Sequence, residues 1–489
     1  MLTGVNLLLR MVSTSFQVYI SGQIGASGVG LLQLVLSVGT MAMTAGMAGI
    51  RTTTMYLTAE EIGHKRPGNV VWILSGCTLY SILCSGAVSL CLHFFAPILA
   101  ANWIGDPRTE GAIRLLACFL PVSCFCGVMT GYFTAANRIG TLAAVEVAEQ
   151  LLSMAVTMTI LNSWAGSNPA RACQAVILGS GISSCMTLCA LVILRLQEKN
   201  KAAARIPVRQ RLLDTAVPLA LADDLKTGIS TTENLMVPKR LALYPGTAAP
   251  LAAFGTVCGM VFPVLMFPAA ILFGLAELLI PELARCNAAG SRTRIRYLVK
   301  RSLRVALIYG CCFCGLMYLL AEELCLSLYN SIEAGSYLRR FSLLIPMLYC
   351  DAITDAMTKG LGQQKACVRY NILTSAMDVV FLYFLLPEYG MSGYFFSFLV
   401  THLLNFILSL CRLLKITGKV IPFSLPFGAA IDTFLAVWLC SHLAAPFFRC
   451  IGFLIILFCL FFLTKVLGKE DLSWVKGLAA GKKYIQNHS

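Results

Sequence analysis

Three basic side chains fall inside long apolar segments of the sequence, where a charge is costly. Arg10 lies nine residues into the first apolar segment, Arg51 follows the apolar run 30–50, and Lys226 lies within the segment 211–236. An ionisable group near the centre of a bilayer costs at least about 2.5–3.5 kcal/mol, so it usually faces a cavity or a partner. Guanidinium groups bind phosphate oxygens bidentately, and surroundings of low dielectric strengthen the attraction. The three cations therefore predict a basic chamber suited to a pyrophosphate group.

Each of these cations also has an ordinary structural explanation. Arg and Lys side chains can extend their charged ends to the membrane surface while their stems stay in the apolar region. Asp223 and Asp224 are close enough in sequence to neutralise Lys226. At the level of sequence both explanations stay open.

Acidic residues form a second set of charges inside apolar segments. Asp351 and Asp355 are four residues apart, so they share one helix face and repel unless one is protonated or a cation lies between them. Carboxylates of this kind can hold a coupling ion, either Na⁺ or H⁺, or can simply pair with Lys226 or Arg340. The other members of the set are Glu146, Glu149, Asp223, Asp224, Glu233 and Asp378, with Asn371 one of the polar residues near Asp378.

The composition indicates what kind of element must position these residues. Of 489 residues, 58% are hydrophobic and 12% are charged, whereas a soluble domain carries roughly 25% charged residues. The apolar residues come in runs of about 20, the length that crosses a hydrocarbon core of about 30 Å as a helix, rather than in the alternating segments of about 10 typical of a barrel. We therefore predict an all-α, polytopic membrane protein.

Hydropathy predicts about fourteen transmembrane helices. Both the first and the seventh of them are interrupted by polar residues, and the eighth contains Pro263 and Pro268. The predicted spans are 2–23, 29–57, 69–95, 111–134, 139–162, 171–195, 211–236, 251–280, 300–321, 337–358, 368–386, 390–412, 421–443 and 447–467.

The distribution of Lys and Arg predicts the orientation. With a cytoplasmic N-terminus, the inner connections hold 26 of these residues and the outer connections hold 8. Cytoplasmic loops carry such an excess, so we expect a multi-pass protein of the bacterial cell membrane with both termini inside. The net charge of +15 then reflects orientation and contact with anionic lipid, and we expect no nucleic-acid partner.

The long basic loop 195–211 separates the first twelve spans into two sets of six. This division predicts an N-lobe at 1–205, a C-lobe at 206–418, and two extra helices with a basic tail at 419–489. Two facing sets of six helices are typical of transporters, whose substrate site lies between the repeats.

The 21 cysteines lack metal-ligand spacing, so we expect them to fill helix surfaces and expect no cofactor beyond a coupling ion. We expect no cleavable signal peptide.

A series of short motifs, in order along the chain, resembles the stage V sporulation protein B family of the multidrug/oligosaccharidyl-lipid/polysaccharide exporter superfamily. They are IGASGVGLLQL at 24–34, AGI at 48–50, TAE at 58–60, VPL at 217–219, VPKRL at 237–241, GM at 259–260, FP at 267–268, LIPEL at 279–283, KGLGQQ at 359–364 and PEYG at 387–390. The family usually has a short basic segment before the first helix, so we expect the natural chain to begin upstream of Met1.

The resemblance implies both a fold and a function. It implies a twelve-helix core of two lobes plus two helices, working as a monomer by alternating access on an undecaprenyl-pyrophosphate-linked sugar, with lipid II for peptidoglycan as the leading candidate. Related flippases line their cavity with arginines of the first two helices, to which Arg10 and Arg51 correspond approximately. Some relatives hold sodium with acids of the seventh and eleventh helices. The nearest counterparts are Asp224, Asn371 and Asp378.

Two other functions compete with this interpretation. A cation-coupled drug exporter of the same fold needs acids in its chamber, but the first span contains no acid and carries Arg10. A membrane-embedded, polyprenyl-dependent glycosyltransferase needs an acidic motif in an outer loop and usually a sizeable external domain, but the predicted outer loops are short. We therefore predict a flippase rather than an enzyme.

Overall fold

Helices account for the regular structure of the chain. The computed structural model describes residues 2–64, 66, 68–165, 168–197, 208–418, 424–443 and 445–468, and none of these residues lies in a strand. The α-helices are α1 (Leu2–Met47), α2 (Ile50–Gly63), α3 (Asn69–Ile98), α4 (Glu110–Ala135), α5 (Ile139–Ile160), α6 (Pro169–Leu196), α7 (Arg209–Leu241), α8 (Pro250–Gly255), α9 (Phe262–Met266), α10 (Ala269–Ala288), α11 (Arg292–Tyr329), α12 (Ile332–Ser342), α13 (Ile345–Gly360), α14 (Gln364–Thr417), α15 (Ser424–Ser441) and α16 (Pro446–Leu463).

The described helices are suited to a membrane. Nine of them are long and apolar enough to span a bilayer, or ten if the bent pair Pro250–Met266 and Ala269–Ala288 counts as one span. Large apolar side chains face outward on them; Phe94 is 74% exposed and Phe434 is 72% exposed. Such surfaces suit contact with lipid, because soluble monomers rarely expose large continuous apolar patches. The all-α membrane fold is confirmed, and the count of fourteen spans stays a prediction.

Glycines in the left-handed backbone region separate consecutive spans. Gly25 (φ 67°) interrupts α1 and Gly390 (φ 56°) interrupts α14. These two breaks fall where the sequence predicts one span to end and the next to begin, after 23 and after 386. Glycine favours both positions because a side chain at positive φ is strained.

Two predicted spans differ from the structure. The span 29–57 is interrupted at Ala48 (φ 44°) and Gly49 (φ 70°), between α1 and α2. A Cβ at Gly49 would lie 2.8 Å from the carbonyl oxygen of Ala216, so close packing against α7 requires a glycine there. The span 251–280 consists of α8, a π-helical segment at Thr256–Val261, α9 and α10. Its prolines do break the helix, because each removes a backbone donor.

Polar residues at helix starts satisfy backbone donors that have no partner within the helix. Asn168 precedes α6 and accepts a hydrogen bond from the backbone N–H of Ala170 at 3.0 Å, with Pro169 as the first helical residue. Ser331 accepts a hydrogen bond from the N–H of Ala334 at 3.1 Å and begins α12 in the same way. These caps fix where the apolar runs begin as helices.

The chain divides into two compact units. The first comprises Met1–Met260 and Ser375–Ser397, and the second comprises Val261–Thr374 and Phe398–Ser489. A buried cluster from α2, α3, α4, α5, α6 and α7 forms a core of the first unit. Another, from α11, α15 and α16, forms a core of the second. The predicted division into lobes at 205 and 418 stays a prediction, because 198–207 and 419–423 lie outside the described residues, as does the tail 469–489.

The break at Gly390 generates a prediction about stability. Its Cβ position lies 2.7 Å from the Tyr244 ring, so Gly390→Ala adds a steric clash to the strain of positive φ. We expect a loss of about 1–3 kcal/mol and a lower thermal unfolding temperature in detergent. Gly22→Ala is the matched control, because a Cβ there meets nothing within 4 Å and its φ is not positive. Equal unfolding temperatures for the two variants would show that the break does not require glycine.

Candidate functional site

The two predicted arginines lie on the first two helices and are exposed. Arg10 is on α1 and interacts with a neighbouring group, so its charge is not isolated. Arg51 begins the first turn of α2, immediately after the break at Gly49. A Cβ at Gly131 would lie 2.5 Å from the Arg51 carbonyl oxygen, so α4 packs directly against the backbone that carries this arginine. Close packing therefore fixes the position from which Arg51 extends.

The Arg51 side chain has a carboxylate in its neighbourhood but forms no ion pair with any residue that the structure describes. Glu146 of α5 interacts with it electrostatically. Within the described ranges, no carboxylate lies within the 4.0 Å of a salt bridge. The guanidinium therefore keeps donors available for an anion.

Lys226 of α7 is exposed, and the neighbouring aspartates do not neutralise it directly. Among the residues that the structure describes, neither Asp223 nor Asp224 forms an ion pair with Lys226. Asp223 is exposed, whereas Asp224 is half-buried and interacts electrostatically with Tyr80 of α3. One carboxylate oxygen of Asp224 is buried without a described hydrogen-bond partner. Pairing with the adjacent acids therefore does not explain Lys226.

A row of polar contacts fixes α7 against the second half of α1. The Thr231 hydroxyl donates to the carbonyl oxygen of Ser37 at 3.2 Å, and the Asn234 amide donates to the Ser37 hydroxyl at 3.1 Å. One turn earlier on α7, the Thr227 hydroxyl donates to the Thr44 hydroxyl of α1 at 3.4 Å. These bonds set the rotation of α7, and so decide which of its charged residues face the same way.

That rotation brings Glu233 to Asp378. The two carboxyl groups lie close enough to interact electrostatically, and the Ser397 hydroxyl donates to Asp378 at 2.6 Å. Tyr394 and Cys258 lie beside them, with the hydroxyl and the thiol 3.8 Å apart. Two carboxyl groups this close repel each other unless a proton or a cation lies between them. The cluster is thus a candidate site for a proton or a cation that replaces it.

Only one of the three predicted ion ligands belongs to this cluster. Asp378 is in it, but Asp224 lies nine residues from Glu233, about 13 Å along α7, and does not reach it. Asn371 lies about two helical turns before Asp378 on α14. The acid of α7 that pairs with Asp378 is Glu233, and sequence spacing missed the pairing because it depends on how α7 is rotated.

The remaining predicted acids have identifiable partners. Lys359 lies 2.6 Å from Asp355, one helical turn away on α13. The Asn405 amide donates to both carboxylate oxygens of Asp351, at 3.2 and 3.3 Å. The expected repulsion between Asp351 and Asp355 is therefore reduced by a cation on one and an amide on the other.

An ion network that the sequence did not reveal joins α2 to α7. Arg211 donates to Glu60 and to Glu61, at 2.9 Å each, and Asn69 donates to Glu61 at 2.8 Å. Glu61 is buried, whereas Glu60 is only partly covered. In the sequence Arg211 is one of many basic loop residues, so only its spatial neighbours identify its role.

Two other features can mark a functional site, a metal centre and a cavity. In the described part of the chain, no group of three His, Cys, Asp or Glu side chains could hold a metal ion. A cavity of about 640 Å³ lies between α3, α4 and α6, and it contains none of the predicted site residues.

Comparison with known proteins supports the predicted resemblance. No family model matches the sequence. The chain is 21% identical over 477 residues to stage V sporulation protein B of Bacillus subtilis (strain 168), a match that covers 92% of this chain and 89% of that protein. A structure of the lipid II flippase MurJ in an inward closed conformation matches with a TM-score of 0.71 and 11% identity, covering 96% of this chain and 99% of the other.

A second solved structure has the same fold. An inward-facing MATE family multidrug resistance transporter of the MOP superfamily matches with a TM-score of 0.67 and 13% identity, covering 85% of this chain and 98% of the other. The resemblance is confirmed: the chain is similar to stage V sporulation protein B and has the fold of MOP superfamily transporters. These two solved neighbours are transport proteins, not enzymes.

Proposed function

We propose that this protein is a flippase that moves a pyrophosphate-linked sugar lipid, with lipid II as the leading candidate, across the bacterial cell membrane. The observation that carries the proposal is the fold, shared with a lipid II flippase over 96% of this chain, and the exposed Arg10 and Arg51 on α1 and α2 support it. In this proposal the protein works as a monomer with both termini in the cytoplasm.

The basic residues supply the chemistry of substrate binding. The exposed Arg51 guanidinium, together with Arg10 and Lys226, binds the pyrophosphate oxygens while the lipid tail stays in the bilayer. Charge-assisted bonds of this kind strengthen where water is scarce. Release then follows when the helices rearrange and expose the head group on the other side, the mechanism called alternating access.

The Glu233–Asp378 pair supplies the coupling site in this proposal. A shared proton, or a Na⁺ ion in its place, stabilises two carboxyl groups that would otherwise repel each other. Binding or release of that cation changes the contact between α7 and α14, which carry the two acids. Such a change couples the cation to the conformation of the transporter.

A drug exporter is the second candidate, since the MATE transporter has the same fold. Two observations favour the flippase. The MurJ match covers 96% of this chain, whereas the MATE match covers 85%. The first predicted span also contains Arg10 and no acid, which suits an anionic substrate better than a cationic drug.

Substitution of Arg51 tests substrate binding. Loss of a charge-assisted contact worth about 1.5–3 kcal/mol lowers affinity roughly 10- to 100-fold. We expect Arg51→Ala to abolish or strongly slow flipping of a labelled polyprenyl-pyrophosphate sugar in reconstituted vesicles, and Arg10→Ala to act similarly. Arg51→Lys retains the charge and should retain part of the activity.

Arg114→Ala is the matched control for this experiment. Arg114 is also an exposed arginine, but it pairs with Glu110 at 2.6 Å and belongs to no predicted site. All variants should insert into the membrane and purify like the wild type. Flipping by Arg51→Ala at the rate of the control would refute the role of Arg51.

The carboxyl pair predicts how transport depends on a cation. We expect wild-type transport to respond to a proton or Na⁺ gradient, and Glu233→Gln and Asp378→Asn to lose that response, because each leaves a neutral amide in place of an acid. Asp432→Asn is the control, since Asp432 is equally buried but accepts a hydrogen bond from Thr464 at 2.6 Å and has no partner carboxyl in the described structure. Variants that transport with the wild-type gradient response would exclude this pair as the coupling site.

A further inference from the structure

A basic cavity lies in the second unit, away from the residues discussed above. Its volume is about 300 Å³, and it is enclosed by the third and fourth turns of α11, the start of α15 and the turn that follows α16. Three cations and two hydroxyl groups line it, and no acidic side chain is among the lining residues that the structure describes. They are Lys300, Arg304, Lys465, Ser424 and Thr464.

Arg304 closes one wall of the cavity by binding backbone. Its guanidinium donates to the carbonyl oxygen of Val466 at 2.7 and 2.9 Å and to that of Lys465 at 2.9 Å. These bonds tie α11 to the turn that follows α16 and occupy the Arg304 guanidinium, so the charges of the two lysines remain for another anion.

Lys465 is held in a conformation that disfavours a side chain. Its φ is 61°, in the left-handed region where glycine is the usual residue. Its side chain is exposed, as is that of Lys300, and within the described residues neither ammonium group forms an ion pair. A left-handed residue commonly ends a helix, and here that residue, just after α16, is a lysine that lines the cavity.

The surroundings of the cavity indicate which anion would bind. The start of α15 adds the positive end of a helix dipole, and the Ser424 hydroxyl can donate to an oxyanion, whereas the Thr464 hydroxyl already donates to Asp432 at 2.6 Å. Directly beside them, Phe427 is 69% exposed and Leu463 is 78% exposed, both on helices that are apolar enough to span a membrane. A polar phosphate pocket bordered by apolar helix surface matches a phospholipid, whose phosphate is attached to acyl chains.

We propose that this cavity binds the phosphate headgroup of an anionic glycerophospholipid. Basic pockets between transmembrane helices on the cytoplasmic side are suited to such headgroups, and the Lys and Arg distribution predicts that this end of α11, α15 and α16 is cytoplasmic. The bound lipid would join α11 to the last two helices. This inference does not depend on what the protein transports.

Native mass spectrometry of the full-length protein in detergent, titrated with phosphatidylglycerol, tests the site. We expect wild type to retain one tightly bound phosphatidylglycerol and to bind phosphatidylcholine less well. Lys300→Gln and Lys465→Gly should each weaken phosphatidylglycerol binding about fivefold, since one lysine near a membrane surface contributes about that factor. Lys415→Gln is the control, because Lys415 is exposed near the end of α14 and does not line the cavity.

Lys465→Gly separates loss of binding from loss of folding. Glycine relieves the strain at φ 61°, so without added lipid this variant should unfold at the wild-type temperature or above it. Phosphatidylglycerol binding by both lysine variants equal to that of Lys415→Gln would refute the site. The same measurements are repeated with inorganic phosphate. If phosphate raised the unfolding temperature in a lysine-dependent way, at concentrations where phosphatidylglycerol did not, the assignment to a lipid would be overturned.

Discussion

The cost of a charge among apolar helices is the constraint on which the structure depends. A chain with 12% charged residues still places many of them on helices that contact lipid or one another, and each must find a partner, a cavity or the membrane surface. Several of the buried or partly buried acids described have a partner. The pairs are Glu61 with Arg211, Asp355 with Lys359, Asp351 with Asn405, and Asp432 with Thr464.

The candidate functional residues include charges that have no oppositely charged partner among the described residues. Arg51 and Lys226 have no ion-pair partner among the described residues. Glu233 and Asp378 are unusual in the opposite sense, because each has another acid as its neighbour. An anionic substrate would satisfy the cations and a coupling cation would satisfy the acids. The same physical requirement therefore leads to both halves of the proposed mechanism.

Sequence predicted the local features of this fold and missed those set by packing between distant helices. Apolar runs gave the helices, and the breaks after 23 and after 386 fall beside Gly25 and Gly390, because hydropathy and glycine are properties of a short segment. The break at Gly49 was missed, because it depends on how closely α7 approaches. The same limit applies to the carboxyl pair: both Asp224 and Glu233 lie on α7, and only its rotation against α1 selects Glu233 as the partner of Asp378.

The central claim is that the basic residues of the early helices receive a pyrophosphate-bearing lipid. The most direct test is native mass spectrometry of the protein purified from bacterial membranes in mild detergent. The account predicts a bound adduct with the mass of a polyprenyl pyrophosphate carrying sugar, present in the wild type and depleted in Arg51→Ala. A wild-type protein that retains cationic small molecules, with no phosphorylated polyprenyl lipid at any detergent concentration that preserves the fold, would contradict it.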